Sequence, residues 1–295
     1  MTYFRDIPDI DSKASRVASH EFEKMIVKYR DEIVTVGEKV TAEAVKEFRK
    51  ELSPEAFKKI LDGGKADEYL ILDMRNDYEY RLGHFKGAIP AGTVNFREVP
   101  KLLERYREEA KDKKIIWYCT GGIRCEKAAV IMNQAGIGEV YAIEGGVVKY
   151  TNTYNDGNWL GNLYTFDGRV STRIGDDATH VTIGKCLYTG NPTDHCENCR
   201  YSVCNARLIA DHKEYVRHGG FCSLECFENA QRDGLVKNAD WDGFNYKYAV
   251  REAKRVGGSI ERDIMRGVRD NIVSQFGKAQ FSHRLSQKEA TIVMD

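Results

Sequence analysis

The chain has 295 residues, 42% of them apolar and 31% charged, which gives room for about two domains with a packed core. Lys+Arg and Asp+Glu are equal at 45 each, so a nucleic-acid role needs a local basic face rather than a bulk excess. No apolar run reaches transmembrane length and the start, Met1-Thr2-Tyr3-Phe4, has no signal-peptide pattern, so a cytoplasmic protein without membrane contact is expected.

Residues 1–37 read as a lead-in segment too short for an independent domain, with alternation from Met25 to Val36 predicting a strand. Ser53-Pro54-Glu55 opens a helix, with serine as N-cap, proline at the first helical position and an acid in the first turn. Phe57, Ile60 and Leu61 form its apolar face, and Gly63-Gly64 ends it. Tyr69–Leu72 is a strand leading into Asp73-Met74-Arg75, and Tyr78–His84 reads as a turn-rich connector. A helix over Val99–Glu109, a buried strand over Lys114–Tyr118, a helix over 126–135 and a strand over Glu139–Ile143 follow, closed by Gly145-Gly146. This alternation predicts an α/β fold over residues 38–152, a doubly wound parallel sheet with helices on both faces.

Residues 153–184 read as a polar, glycine-rich surface linker with a short hairpin around Asp167-Gly168. A small cysteine-rich module is expected over 185–235. C-terminal helices and a tail are expected over 236–295, helical from Tyr246 to Phe276 with an interruption near Gly257-Gly258.

The strand 114–118 feeds Cys119-Thr120-Gly121-Gly122-Ile123-Arg124-Cys125. A cysteine between a strand end and a helix N-terminus faces backbone N–H groups that have no partner inside the helix. Those donors, the helix dipole and Arg124 favour a thiolate over a thiol. The glycines let the amides of Thr120, Gly121, Gly122, Ile123 and Cys125 curl toward one point as an anion-binding nest. Cys119 and Arg124 are therefore the candidate catalytic residues. Cys125 reads either as a resolving partner of Cys119 or as a small buried helix residue.

None of the eight cysteines precedes Cys119 and six crowd between Cys186 and Cys226, which in a cytosolic chain points to metal rather than disulfides. Cys196-x-x-Cys199, Cys204 and Cys222-x-x-x-Cys226 offer the close thiolate pairs that a tetrahedral ion needs. Four of these five are the expected ligands of a structural Zn2+, with Cys186 and His195 in reserve, and Phe227–Ala230 is expected to be helical after the second pair. Nothing in the pattern marks an open, catalytic coordination position. Farther on, Arg262, Arg266 and Arg269 share one helix face. They form either a phosphate-binding stripe for RNA or a solvated face diluted by Glu261, Asp263 and Asp270.

Four residues separate Cys119 from Arg124, one fewer than in the phosphate loop of cysteine phosphatases, and this loop resembles the rhodanese active site. Leu72-Asp73-Met74-Arg75, Glu79, Gly83-His84-Phe85-Lys86-Gly87-Ala88 and Glu144-Gly145-Gly146 extend the resemblance over residues 69–150. It implies that Asp73 and Arg75 brace the core and that Gly83-His84 begins a connector. Cys119–Lys127 together with Lys28–Gly37, Asn76-Asp77-Tyr78-Glu79-Tyr80, Asn95-Phe96-Arg97-Glu98 and the segment ending in Cys222 and Cys226 is similar to the rhodanese-containing tRNA uridine-34 hydroxylase family. That resemblance implies dioxygen-dependent hydroxylation of the wobble uridine at carbon 5, with the rhodanese cysteine required and the tRNA anticodon loop as partner.

Two departures stand out. The family carries an N-terminal α+β domain of which this chain has about the last strand, so a separate protein replacing that domain is an expected partner. Thr189 and Thr193 stand where the family has cysteines, and Cys196 is an addition. Three functions are open, the first of them implied by the resemblance. The first is wobble-uridine hydroxylation, in which Cys119 passes through an oxidised sulfur state or adds to carbon 6 of the uracil. The second is sulfur transfer through a Cys119 persulfide. The third is a non-catalytic binding platform built on the rhodanese and zinc units.

Overall fold

A computed structural model describes residues 32–36, 39–63, 68–93, 96–111, 113–137, 139–155 and 157–234. Most of the strand expected from Met25, the helices expected over 246–276, and Arg262, Arg266 and Arg269 lie outside the described residues. The part of that strand inside them, Glu32–Val36, makes bends instead.

The chain runs through α1 (Ala42–Phe48), β1 (Glu51–Leu52), α2 (Pro54–Asp62), β2 (Tyr69–Asp73), α3 (Asp77–Leu82), β3 (Gly83–Phe85) and β4 (Ile89–Pro90). A 3-10 turn at Phe96–Leu102 passes into α4 (Leu103–Ala110), followed by β5 (Lys114–Tyr118), α5 (Ile123–Gln134), β6 (Val140–Ile143) and α6 (Gly146–Thr153). Five strands pair in parallel in the order β1-β6-β5-β2-β4. The sheet is the doubly wound α/β fold that the alternation of strands and helices predicts.

Alternate residues of the central strands feed cores on opposite faces. Ile115 and Trp117 of β5 pack with Tyr106, Ala128 and Met132, while Ile116 and Tyr118 pack with Phe57, Val147 and Tyr150. Because both faces are covered, β5 reads as a continuous apolar run. From β2 the chain moves outward to β4, then returns to β5 on the other side of β2. The crevice at their carboxyl ends is a topological switch point, where open α/β sheets bind ligands.

The helix α2 starts and stops where its sequence indicates, with Ser53 capping Ala56, Pro54 at its start and Gly63 at its end. Three segments depart from their sequence signals. The connector expected at Tyr78–His84 is mostly α3: Glu79 reaches back to accept the Asn76 N–H at 3.0 Å, a capping box that holds a short helix. The glycines after β6 do more than end a strand, since Gly145 caps α6. The surface linker contains a buried strand, β7 (Trp159–Tyr164), which pairs antiparallel with β3 and with β8 (Ser171–Arg173). Trp159 and Leu163 join the core of the parallel sheet, which is why this polar-looking stretch is internal.

Asp73 and Arg75 join these two sheets. Fully buried, Arg75 donates from Nε to Asp73 Oδ1 at 2.9 Å and also to the Gly83 carbonyl, with the Trp159 ring 5.0 Å from its guanidinium. The third unit contains β9 (Cys196–Asn198) and β10 (Arg207–Ile209) as an antiparallel pair, then α7 (His212–Arg217) and α8 (Leu224–Arg232). It has its own core of Leu187, Tyr188, Leu208, Phe221 and Ala230 around several cysteines. Among the described residues no helix is long and apolar enough to cross a membrane.

Candidate functional site

Cys119 follows β5 at the carboxyl edge of the parallel sheet, and Gly122, at φ +94°, turns the chain into α5. Cys119 is 2% exposed and its sulfur accepts the Gly122 N–H at 3.1 Å. Its thiol is pulled down to about 5, first by a hydrogen bond from the Cys125 thiol. Burial opposes that shift, while the charge of Arg124 and the backbone N–H groups of Cys125 and Arg124 add to it. Cys125, fully buried one turn into α5, is driven well above its ordinary value by burial and by donating to Cys119. The two sulfurs thus divide their roles, one thiolate and one thiol.

Arg124, expected to favour the Cys119 thiolate, does so through its charge while its guanidinium is paired with a carboxylate. Its Nη1 and Nη2 donate to Glu79 Oε2 and Oε1 at 2.9 and 3.0 Å, and Nη2 also reaches Thr120 Oγ1 at 3.1 Å. Burial would raise the carboxyl of Glu79, but Arg124 holds it below its ordinary value. The Glu79 that caps α3 is therefore also the counterion of the loop arginine. The Asn76-x-x-Glu79 spacing carried that signal. Gly121 is half-buried on the loop and Ile123 is exposed at its rim.

The loop is held from behind by α6. Val147 and Val148 donate their N–H groups to the carbonyls of Cys119 and Thr120 at 3.0 and 3.1 Å. Gly146 makes that approach possible: it sits at φ +61°, and a Cβ there would lie 2.3 Å from the Cys119 carbonyl oxygen. An aromatic group stands over the other side of the arginine. Phe166, 62% exposed, has its ring centre 5.9 Å from the Arg124 guanidinium, and Tyr164 packs edge-on between Phe166 and Tyr78 at 5.1 and 5.0 Å. Sequence reasoning missed Phe166 because it lies in the segment read as linker.

The cysteine-rich module resolves into one set of four. Cys199, Cys204, Cys222 and Cys226 are buried, and their sulfurs all lie within 4.8 Å of one another. Cys204–Cys222 and Cys222–Cys226 separations are 3.6 and 3.5 Å. A tetrahedron of thiolates with bonds of about 2.3 Å has edges of about 3.8 Å, so the set fits a metal ion. The Cys222 N–H points at the Cys199 sulfur at 3.4 Å, and Ser223 caps α8 so that Cys226 sits in its first turn.

Three of the candidate ligands fall outside the set. Cys196, on β9, packs with Leu82, Tyr164 and Ile209 in a core separate from the four-cysteine set. The CxxC pairing with Cys199 fails because Cys196, at the start of β9, turns into one core while Cys199, just past its end, faces another. Cys186 accepts the Asp211 N–H at 3.3 Å, and His195 is drawn to Glu197.

The rhodanese-like domain family matches residues 53–153 and the rhodanase C-terminal family matches 160–227. Three similar proteins each carry the name tRNA uridine(34) hydroxylase. The one from Onion yellows phytoplasma is 32% identical over 77% of this chain and 73% of its own. That from Staphylococcus carnosus is 34% identical over 78% and 72%. That from Enterococcus faecalis is 37% identical over 70% and 65%. With rhodanese loop, hairpin and cysteine cluster all inside the matched span, the chain belongs to the tRNA uridine(34) hydroxylase family.

Proposed function

We propose that this protein hydroxylates carbon 5 of the wobble uridine, position 34, of tRNA, with dioxygen as co-substrate, an external two-electron reductant carrying its second oxygen atom to water, and Cys119 as the reactive group. The observation that carries this reading is the Cys119 thiolate, pulled down to about 5 inside the loop at the sheet's switch point. A thiolate there is competent to add to carbon 6 of the uracil and activate carbon 5, or to carry an oxidised sulfur state. The amides of Gly122, Arg124 and Cys125 and the Cys125 thiol stabilise negative charge at the sulfur without reorganising. The anticodon loop is single-stranded, so its base can be splayed out, and the exposed Phe166 ring beside Arg124 offers it a stacking face.

Cys199, Cys204, Cys222 and Cys226 are assigned a structural zinc. Four thiolates close the tetrahedron, so the ion ties the turn after β9 to the start of α8 and offers no open position for chemistry.

Nucleoside mass spectrometry on tRNA from cells with and without the gene, restored by wild type or Cys119→Ser, tests the assignment. Loss of 5-hydroxyuridine-type nucleosides rescued only by wild type is the expected result. Unchanged wobble uridine overturns it. In that case thiosulfate turnover through a Cys119 persulfide, independent of dioxygen and tRNA, becomes the reading to measure.

A further inference from the structure

His195 has a different role from reserve ligand to the sulfur cluster. Together with Glu197 and His212 it brings three ligand atoms within 4.8 Å of one another, in a set distinct from the four cysteines. The local sequence explains the convergence. His195 immediately precedes β9 and Glu197 is its central residue, so alternation places both on one face while Cys196 turns into the core. The ladder continues past β9, with the Ala210 N–H donating to the His195 carbonyl at 3.0 Å. The next residue, Asp211, as N-cap to the Lys213 and Glu214 amides, fixes His212 as the first residue of α7. A strand face and a capped helix start thus present two imidazoles and a carboxylate to one point.

We propose that His195, Glu197 and His212 form a second metal site, taking one divalent ion of the zinc, nickel or ferrous class. His195 Nε2 and His212 Nδ1 stand 2.8 and 3.4 Å from the same oxygen, Glu197 Oε1. Adjacent ligands of an ion with bonds of about 2.1 Å are about 3 Å apart in octahedral and about 3.4 Å apart in tetrahedral coordination. The observed separations span that interval, so an ion enters by small side-chain rotations. The rings meet edge to face at 82°, which keeps both nitrogens on the carboxylate without a clash. Loading requires that the ring nitrogens facing Glu197 present lone pairs, their protons passing to the opposite ring nitrogen or to solvent.

The donor set decides the ion class. Two imidazoles and one carboxylate suit borderline transition ions, whereas calcium and magnesium prefer oxygen and soft ions prefer the thiolates of the neighbouring cluster. All three side chains are at least partly exposed, so solvent reaches the ion and the remaining positions stay open to water or an exogenous ligand. The four-cysteine site is closed in this sense, and the three-ligand site is open.

The test is calorimetric titration with Ni2+ of the full chain whose cysteine cluster is already loaded with zinc. Wild type is expected to take up one further equivalent. Glu197→Gln, nearly isosteric, and His212→Ala are expected to weaken that event by more than the roughly tenfold that even an outer-shell change costs. Both variants should keep the zinc of the cysteine cluster and the wild-type circular dichroism, because the three side chains lie at the surface. Absence of a further equivalent, or its retention at wild-type affinity in both variants, overturns the proposal and leaves a hydrogen-bonded surface trio.

Discussion

Removing the Cys125 thiol tests what makes Cys119 a thiolate. The largest contribution to its low pKa is donation from Cys125, ahead of the arginine and the loop amides. A hydrogen bond to a charged group contributes about 1.5–3 kcal/mol, and each 1.36 kcal/mol moves a titration by about one pH unit. Cys125→Ala should therefore move the Cys119 midpoint from about 5 to between about 6 and 7. The thiolate is the nucleophile, so alkylation rises with pH through the midpoint, and the variant's profile must lie to the alkaline side. Iodoacetamide alkylation from pH 3.5 to 9, read on the tryptic peptide Ile115–Arg124, isolates Cys119 from Cys125. Cys125→Ser keeps a donor and should keep a midpoint near or below that of wild type. Superimposed profiles for wild type and Cys125→Ala would refute the reasoning and return the stabilisation to the amides and Arg124.

Glu79→Gln removes a negative charge from the loop while keeping its shape, so the Cys119 midpoint should fall below the wild-type value in the same assay; an unchanged or higher midpoint contradicts the arrangement. Gly146→Ala puts a Cβ against the Cys119 carbonyl and costs about 1–2 kcal/mol for its left-handed backbone alone. It should lower Tm and raise the Cys119 midpoint together, whereas a lowered Tm with an unmoved midpoint would separate α6 from the loop. Phe166→Ala removes a stacking face of about 1–3 kcal/mol, so kcat/KM for tRNA should fall by roughly 5- to 150-fold, with Phe166→Tyr near wild type and thermal stability unchanged. Cys222→Ser should abolish metal uptake by the cysteine cluster and raise amide exchange in β10 and α8 while leaving β2 and β5 protected; exchange unaffected in α8 would show that the ion does not hold the module.

Legibility in the sequence followed the range of the interactions. The loop from Cys119 to Cys125 could be read because strand, glycines and helix are contiguous, and the parallel sheet because its strands are apolar runs. The site's other half could not. Glu79 meets Arg124 across 45 positions, and its own signal, a capping box, looked like part of a connector. The strand β7 carries Trp159 and Leu163 inward between Asn158, Gly161 and Asn162, so its composition hides its burial. Zinc-like spacing located the module and offered five cysteines for four places, and spacing alone does not say which one the strand turns away. Cys196 and His195 were both drawn to the sulfur cluster on paper, and strand alternation at β9 sends one to the core and the other to a carboxylate.

The pairing of Arg124 with Glu79 bears on substrate as well as on the thiolate. Both terminal nitrogens of Arg124 are bound to one buried carboxylate, so the backbone amides, not the arginine, are left to face negative charge in this loop. The pair is close to neutral, so the charge left in the loop is that of the Cys119 thiolate itself. An anionic sulfur donor would approach against that charge, at a site where burial weakens solvent screening. A neutral uracil meets no such opposition, and Phe166 beside the arginine supplies a face for its ring rather than a charge for an oxyanion. Glu79 from α3 and Phe166 from the hairpin thus set the charge and the ring face that a neutral planar base would meet in this loop.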